Sequence, residues 1–402
     1  MKILFLGGIF DDSHNAEIIS KTKTYVEYAA NNFQRKIIEG LKANGADVQV
    51  VSAPFLGAFP QAYKDIVFKG FDAKAEDESG YSYAKFINIW GIRNPSRRRG
   101  VNRLLRGFAD DPDTDKLIIV YSPHTPLIQA ANDAKKKDPH IKICMVIPDL
   151  PQYMNLSANV SLAYKVLKKY DVRTFMKESR TVDSYIVLTE QMTDLLGVGN
   201  RPYAVVEGIY EKIEGEIPKK NQELTTIVYT GRLDKSFGVV HLIKAFRQLK
   251  GEDLRLVICG GGEAKAEVEE AASIDKRILY KGQVSSDEAR RYILEGDVLV
   301  NPRQNNSIYT KYSFPSKIID YLSTGNPVIA YKLDGMPEIY KDFIYFVPDD
   351  SVEALANTIN HVISMSSEEK GKKCSAGIKY LKSKLSKEHI GKTILALNGV
   401  RG

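Results

Sequence analysis

The sequence predicts an α/β protein of two doubly wound, parallel-sheet, Rossmann-like domains facing each other across a cleft. Three observations carry this. Short β-branched apolar runs alternate with helix-period stretches along the whole chain, as parallel strands covered by helices on both faces do. The alternation breaks at a polar stretch, 211–223 (EKIEGEIPKKNQE), with no apolar periodicity, and then restarts. The length, 402 residues of which 43% are hydrophobic, suffices for two packed cores.

In the first half, 2–6, 47–51, 85–90, 116–121, 141–147, 184–188 and 203–206 read as strands, with helices over 25–41, 127–136 and 161–179. The second half gives strands at 226–230, 254–258, 277–280, 298–300, 328–331 and 344–347, and helices over 239–249 and 286–294. The domains so defined are 1–212 and 213–385, and 386–402 is a C-terminal helix expected to pack back on the first. Ligands of open α/β sheets bind beyond the carboxyl ends of the strands, so the candidate residues are sought there.

The net charge of +7 is spread evenly over both halves, which gives no support to nucleic-acid binding by a whole domain. Cys144, Cys259 and Cys374 form no CxxC pair, an argument for a reducing compartment and against a zinc site. The apolar opening is too short for a signal peptide, and no run approaches the ~20 apolar residues of a membrane span. A cytoplasmic protein is expected. Six arginines between Arg93 and Arg106, interleaved with apolar residues, suggest peripheral contact with the inner face of the cell membrane or with a lipid diphosphate.

Phosphate chemistry is written at two strand ends. Gly231-Arg232-Leu233-Asp234-Lys235 follows 226–230, where glycine admits close backbone approach and two cations sit beside a helix start. The alternative there is a solvated turn with Arg232 paired to Asp234. In 312–327 (YSFPSKIIDYLSTGNP), Pro315 suits a first helical position, Ser313 a cap, and Gly325 with Pro327 the stop. Lys317 in that first turn opposes the helix dipole unless an anion is bound, and Asp320 shares its face. The alternative is an exposed Lys317–Asp320 ion pair. Gly260-Gly261-Gly262 and Gly7-Gly8 also end strands. On the acceptor side Asp149 and His124 follow strands 141–147 and 116–121. The DxD spelling at 111–113 precedes a strand and reads as a solvated turn, with no metal expected. Gly7-Gly8 is not GxGxxG, and Gly391-Lys392-Thr393 lacks the rest of a P-loop.

In order, YTGRLDKSFGVVHLIKAF, LVICGGGE, ILYKGQV, DVLVNPR and YSFPSKIIDYLSTGNPVIAYKLDGMPEIY resemble the GT-B glycosyltransferases, specifically the large retaining family four. SPHTPLIQAA, VIPDLPQY and VDSYIVLTE resemble it more weakly, and FPSK…YLSTGNPVIA resembles members that build capsular or exopolysaccharide chains. The resemblance implies transfer, with retained configuration, from a nucleoside-diphosphate sugar (UDP or GDP) to a saccharide or lipid-linked acceptor in cell-surface polysaccharide synthesis. No permanently bound cofactor and no metal are implied. Arg232 and Lys235 would hold the diphosphate, backbone near Ser313–Phe314 the phosphate, and Gly282, Gln283 and Val284 would border the base. Gly8, Gly231, Gly261, Lys317 and Asp320 complete the expected nucleotide site, and Asp149 and His124 would serve the acceptor.

The family's two glutamates, separated by seven residues, correspond to Tyr312 and Asp320, so the carboxylate that meets the donor sugar is replaced. Phe237 stands where a basic residue usually precedes the glycine. No carboxylate pair suits a double displacement, which favours a front-face reaction. A sugar-nucleotide epimerase and a non-catalytic nucleotide-sugar-binding subunit are the alternatives.

Overall fold

A computed structural model describes residues 1–71, 80–153, 162–213 and 223–400. Position 161 of the expected helix and 214–222 of the polar stretch lie outside them. The chain divides into two compact units, Met1–Ile209 with Lys387–Gly402, and Tyr210–Ser386.

The first unit holds a seven-stranded parallel sheet of β1 (Lys2–Gly7), β2 (Val48–Ser52), β4 (Tyr81–Tyr83), β6 (Lys116–Tyr121), β7 (Ile141–Ile147), β8 (Ser184–Val187) and β9 (Tyr203–Val205). Their order is β4-β2-β1-β6-β7-β8-β9. β6 is buried along its whole length, as the centre of a doubly covered sheet requires. Helices α1 (Asn15–Lys21), α2 (Tyr28–Ala43), α3 (Arg93–Asp110), α4 (Thr125–Lys137), α5 (Leu162–Glu178) and α6 (Met192–Leu196) belong here.

The expected strand 85–90 is not part of this sheet. Only β5 (Phe86–Ile87) forms, paired antiparallel with β3 (Val67–Phe68), while β4 takes the sheet edge. The apolar run at 85–90 is interrupted by Asn88, whose side-chain amide donates to Gly57 O at 2.7 Å and whose N–H donates to Ile66 O at 2.6 Å. Those bonds tie the run to loops instead of a ladder.

The second unit holds a six-stranded parallel sheet ordered β12-β11-β10-β13-β14-β15. Its strands are β10 (Thr225–Thr230), β11 (Leu254–Cys259), β12 (Ile278–Tyr280), β13 (Val298–Asn301), β14 (Val328–Tyr331) and β15 (Tyr345–Val347). Helices α7 (Val239–Gln248), α8 (Lys265–Ile274), α9 (Ser286–Glu295), α10 (Lys317–Ser323), α11 (Val352–Ser364) and α12 (Ser367–Lys384) flank it. Capping boxes at Ser285/Glu288 and Ser366/Glu369 start α9 and α12.

α13 (Lys387–Leu397) packs in the first unit against α2. Two glycines allow the approach: a Cβ on Gly40 would lie 2.0 Å from Lys387 O, and one on Gly391 2.1 Å from Gly40 O. Among the described residues no helix is long and apolar enough to cross a membrane.

Candidate functional site

In the second unit the ends of β10, β11 and β12 are laced into one rim. Gly231 N–H donates to Cys259 O at 3.0 Å, Leu233 N–H to Gly261 O at 2.9 Å, and Gly260 N–H to Gly282 O at 2.7 Å. Glycine is obligatory at two points. Gly260 (φ +143) would drive a Cβ to 1.8 Å from Gly231 O, and Gly262 (φ +157) to 2.7 Å from Leu233 C. Gln283 and Val284 follow on the same rim, and the Gln283 amide oxygen would lie 3.3 Å from a Cβ on Gly261.

The two expected cations are present on this rim with carboxylates already beside them. Arg232 meets Asp234 at 2.8 Å with its side chain 75% exposed, and Lys235 Nζ meets Glu267 on α8 at 2.8 Å. That hydrogen bond raises the Lys235 ammonium and lowers the Glu267 carboxyl relative to their ordinary ranges. Lys317 and Asp320 form the exposed i, i+3 pair at 3.2 Å.

The segment before α10 differs from expectation. Pro315 lies ahead of the helix, which begins at Lys317, and the N-cap is Ser316, without a side-chain hydrogen bond. Ser313 does not cap α10, because its hydroxyl is committed elsewhere: it donates to Tyr309 O at 3.3 Å and accepts from Arg303 Nη2 at 3.1 Å. Phe314 is buried against Tyr340, ring centroids 5.1 Å apart. The buried Tyr321 hydroxyl fixes α10 to the rim, accepting from Thr230 N–H at 2.8 Å and donating to Thr230 O at 3.2 Å.

Arg303 is the residue that sequence reasoning missed. It follows β13, the central-sheet neighbour of β10. Its half-buried guanidinium lies over the rings of Phe237 (5.3 Å) and Tyr309 (5.4 Å). The start of α7 presses on the same backbone: Gly238 has φ +79, and a Cβ there would sit 2.0 Å from Pro302 O. Burial lowers Arg303 below the usual guanidinium range, and no carboxylate pairs with it among the described residues. The available signal was a cation directly after a strand, the criterion that selected Arg232.

In the first unit, His124 and Asp149 lie beyond the carboxyl ends of β6 and β7. Ser122, between β6 and His124, adopts φ +73, a left-handed conformation that costs a non-glycine residue about 1–3 kcal/mol. His124 stacks on Phe55 at 5.3 Å and approaches Arg97 Nη1 at 3.3 Å through Nε2. Gly8 does not offer its backbone to a ligand: its N–H donates to Gln34 Oε1 at 2.9 Å, and a Cβ would collide with the Phe55 ring at 2.3 Å.

The run Arg93–Arg106 is one continuous helix, α3, but not one lipid-facing stripe. Arg97 is buried and Arg98 is bidentate to Asp133 at 2.7 and 2.8 Å. Arg99, Arg103 and Arg106 stay exposed, alongside Trp90 and Leu104. The 111–115 run is a turn in which Asp111 and Asp113 accept from the backbone two residues on, at 2.9 and 3.0 Å. Among the described residues no group of three His, Cys, Asp or Glu is placed to hold a metal ion.

Residues 211–380 match the family model described as glycosyl transferases group 1. Two curated relatives align with part of the chain. Schizosaccharomyces pombe phosphatidylinositol N-acetylglucosaminyltransferase gpi3 subunit is 24% identical over 161 residues, 39% of this chain and 34% of the relative. Salmonella typhimurium lipopolysaccharide 1,2-N-acetylglucosaminetransferase is 24% identical over 158 residues, 36% of this chain and 40% of the relative. The chain thus spans only 34–40% of the length of these curated relatives. Among solved structures, Anabaena Alr3699/HepE in complex with UDP superposes with a TM-score of 0.62 at 13% identity, over 98% of this chain and 99% of that one. The fold is GT-B, with a parallel-sheet α/β architecture in each unit.

Proposed function

We propose that this chain is a retaining glycosyltransferase that moves a sugar from a UDP-sugar to a saccharide or lipid-linked acceptor in cell-surface polysaccharide synthesis. One observation carries the reading: Arg303, half-buried and without a carboxylate, meets Ser313 beside the glycine-laced rim of β10–β12. The family match over 211–380 supports the transferase class, and the relatives named for N-acetylglucosamine transfer support a sugar-nucleotide donor. The Anabaena structure, a complex with UDP, supports uracil as the base.

In this reading Arg303, Arg232 and Lys235 hold the donor diphosphate, with Ser313 and Phe314 contributing beside them. Gly231 and Gly261 allow close approach, Gln283 and Val284 border the base, and Lys317 and Asp320 lie at the ribose end, where the carboxylate accepts from hydroxyls. The bond from C1 to the diphosphate breaks and the bond from the acceptor oxygen to C1 forms on the same face. The acceptor proton passes to an oxygen of the departing phosphate. Cationic donors fixed where that negative charge grows lower the barrier, each by about 3–4 kcal/mol. His124 and Asp149 orient the acceptor, and Arg99, Arg103 and Arg106 contact the membrane surface that presents a lipid-linked one.

The test is UDP release from UDP-N-acetylglucosamine, UDP-glucose, UDP-galactose and GDP-mannose, with UDP affinity measured alongside. Arg303→Ala is expected to weaken UDP at least tenfold and to lower turnover about 10²-fold. Unchanged UDP affinity in that variant would overturn the assignment of the diphosphate to Arg303.

A further inference from the structure

The first unit contains a second cationic cluster, and it is built differently. Arg97, on α3, is 1% exposed. Its Nη2 donates to Pro54 O at 2.8 Å, its guanidinium lies over Phe86 at 4.5 Å, and its Nε is buried without a hydrogen-bond partner. Arg93, one turn earlier and half-buried, donates to Leu56 O at 3.1 Å. His124 Nδ1 and Thr125 Oγ1 are likewise buried without a partner, and Thr125 opens α4, a helix of 13 residues whose N-cap side chain makes no hydrogen bond. Lys168 on α5 is half-buried and close enough to join Arg97 and Arg93 in disfavouring a charged His124; the carboxylate acting on Lys168 is Asp171.

Among the described residues no carboxylate bonds to Arg93, Arg97 or His124. A guanidinium taken out of water without an anion is strongly destabilising, and an apolar side chain would pack the same space better. The neighbouring Arg98 displays the structural solution on the same helix, a bidentate carboxylate. Arg97 lacks it: its Nε is buried without a partner, its Nη1 lies 3.3 Å from His124 Nε2, and His124 Nδ1 and Thr125 Oγ1 at the start of α4 are also unpartnered.

We propose that this cluster is a binding site for a phosphate or diphosphate group carried by the acceptor, with Arg97 as its floor and Arg93 and Lys168 at its mouth. The word acceptor rests on the transferase reading; the anion site does not. Two guanidinium groups, an ammonium and a helix N-terminus match a multiply charged phosphate better than a single carboxylate.

The experiment titrates the full-length Arg232→Ala/Lys235→Ala/Arg303→Ala variant, freed of the second unit's three expected diphosphate cations, with inorganic pyrophosphate by calorimetry. Binding is expected, weakened at least tenfold by adding Arg97→Met or Arg93→Gln, and at least threefold by adding Lys168→Gln. Should Arg97→Met fail to fold, the half-buried Arg93 and Lys168 decide. No pyrophosphate binding, or binding that Arg93→Gln and Lys168→Gln leave unchanged, overturns the site. Displacement by vesicles doped with a prenyl diphosphate, but not by phosphatidylglycerol vesicles, supports a lipid-borne group. Displacement by glucose 1-phosphate supports a soluble sugar phosphate. Equal displacement by acetate overturns the phosphate class. The titration requires neither donor nor turnover, so its failure leaves the transferase reading standing, and absence of transfer leaves the titration interpretable.

Discussion

Arg232 and Arg97 are the same side chain in opposite circumstances. Arg232 stands in a recognisable motif, is exposed, and has Asp234 at 2.8 Å. Arg97 stands in the arginine run of α3, is buried, and meets Pro54 O, His124 Nε2 and the Phe86 ring but no carboxylate. The difference teaches that a motif locates a loop, whereas burial and pairing locate the charge that needs a ligand. Arg303 lies between the extremes, on the motif's side of the molecule but with the unpaired, half-buried character of Arg97.

The largest expected effect comes from making one substitution in both places. Arg97→Met removes a buried, unbalanced charge and fills the space with a side chain of similar reach. The unfolding free energy in phosphate-free buffer should rise by about 1–3 kcal/mol. Arg232→Met, at an exposed ion pair, should change it by no more than about 0.5 kcal/mol. Urea titrations of the two variants measure the contrast directly. A fall in stability for Arg97→Met would mean that Pro54 O, His124 Nε2 and the Phe86 ring balance the guanidinium without an anion.

A smaller effect sharpens the comparison through His124. Burial, then Arg97, Arg93 and Lys168, hold its imidazole well below the usual range of about 6.5. The unfolded chain therefore binds a proton, on acidification below about 6.5, that the folded chain refuses. Stability present above that pH is lost as the pH falls towards the folded value, no faster than about 1.4 kcal/mol per pH unit. His124→Gln should flatten stability between pH 6.5 and 5. Arg97→Met should make the loss shallower by removing the nearest like charge. An unchanged slope in His124→Gln would assign the acid sensitivity to another group.

Much of the fold was legible because burial leaves its mark in residue type. The fully buried β6 and the core strands β7, β10 and β11 each carry a continuous buried apolar stretch, Leu117–Tyr121, Ile143–Ile147, Ile227–Tyr229 and Leu256–Cys259, and they stand where that pattern puts them. The run at 85–90 has similar composition, but one amide, Asn88, redirects its backbone bonds to loops. Of the site, the glycine rim was legible because Gly260 and Gly262 occupy backbone that tolerates no other residue. Arg303 was not, and of Arg97 only its place in the arginine run 93–106 was. Their significance lies in which carboxylates are absent around them, and pairing across 10 or 27 residues, as with Ser313 and His124, has no periodicity to read.

The smallest prediction concerns the exposed partners on the motif side. Lys235 can reach a donor diphosphate only by leaving Glu267, 2.8 Å away on α8. An exposed pair of this kind is screened by solvent and holds only weakly, so releasing it should tighten nucleotide binding by no more than about fivefold. Glu267→Gln is therefore expected to raise UDP affinity two- to threefold at low salt, and Lys235→Ala to cancel the gain. The gain should fade towards 1 M salt, where the screening length falls to about 3 Å. The Lys235 N–H is held separately by Glu263 Oε1 at 2.9 Å, so Glu267→Gln leaves the loop anchored and isolates the side chain. An affinity that stays the same or weakens would keep Lys235 on α8 during binding, and would leave Arg303, the half-buried cation of that rim, as the principal holder of the diphosphate.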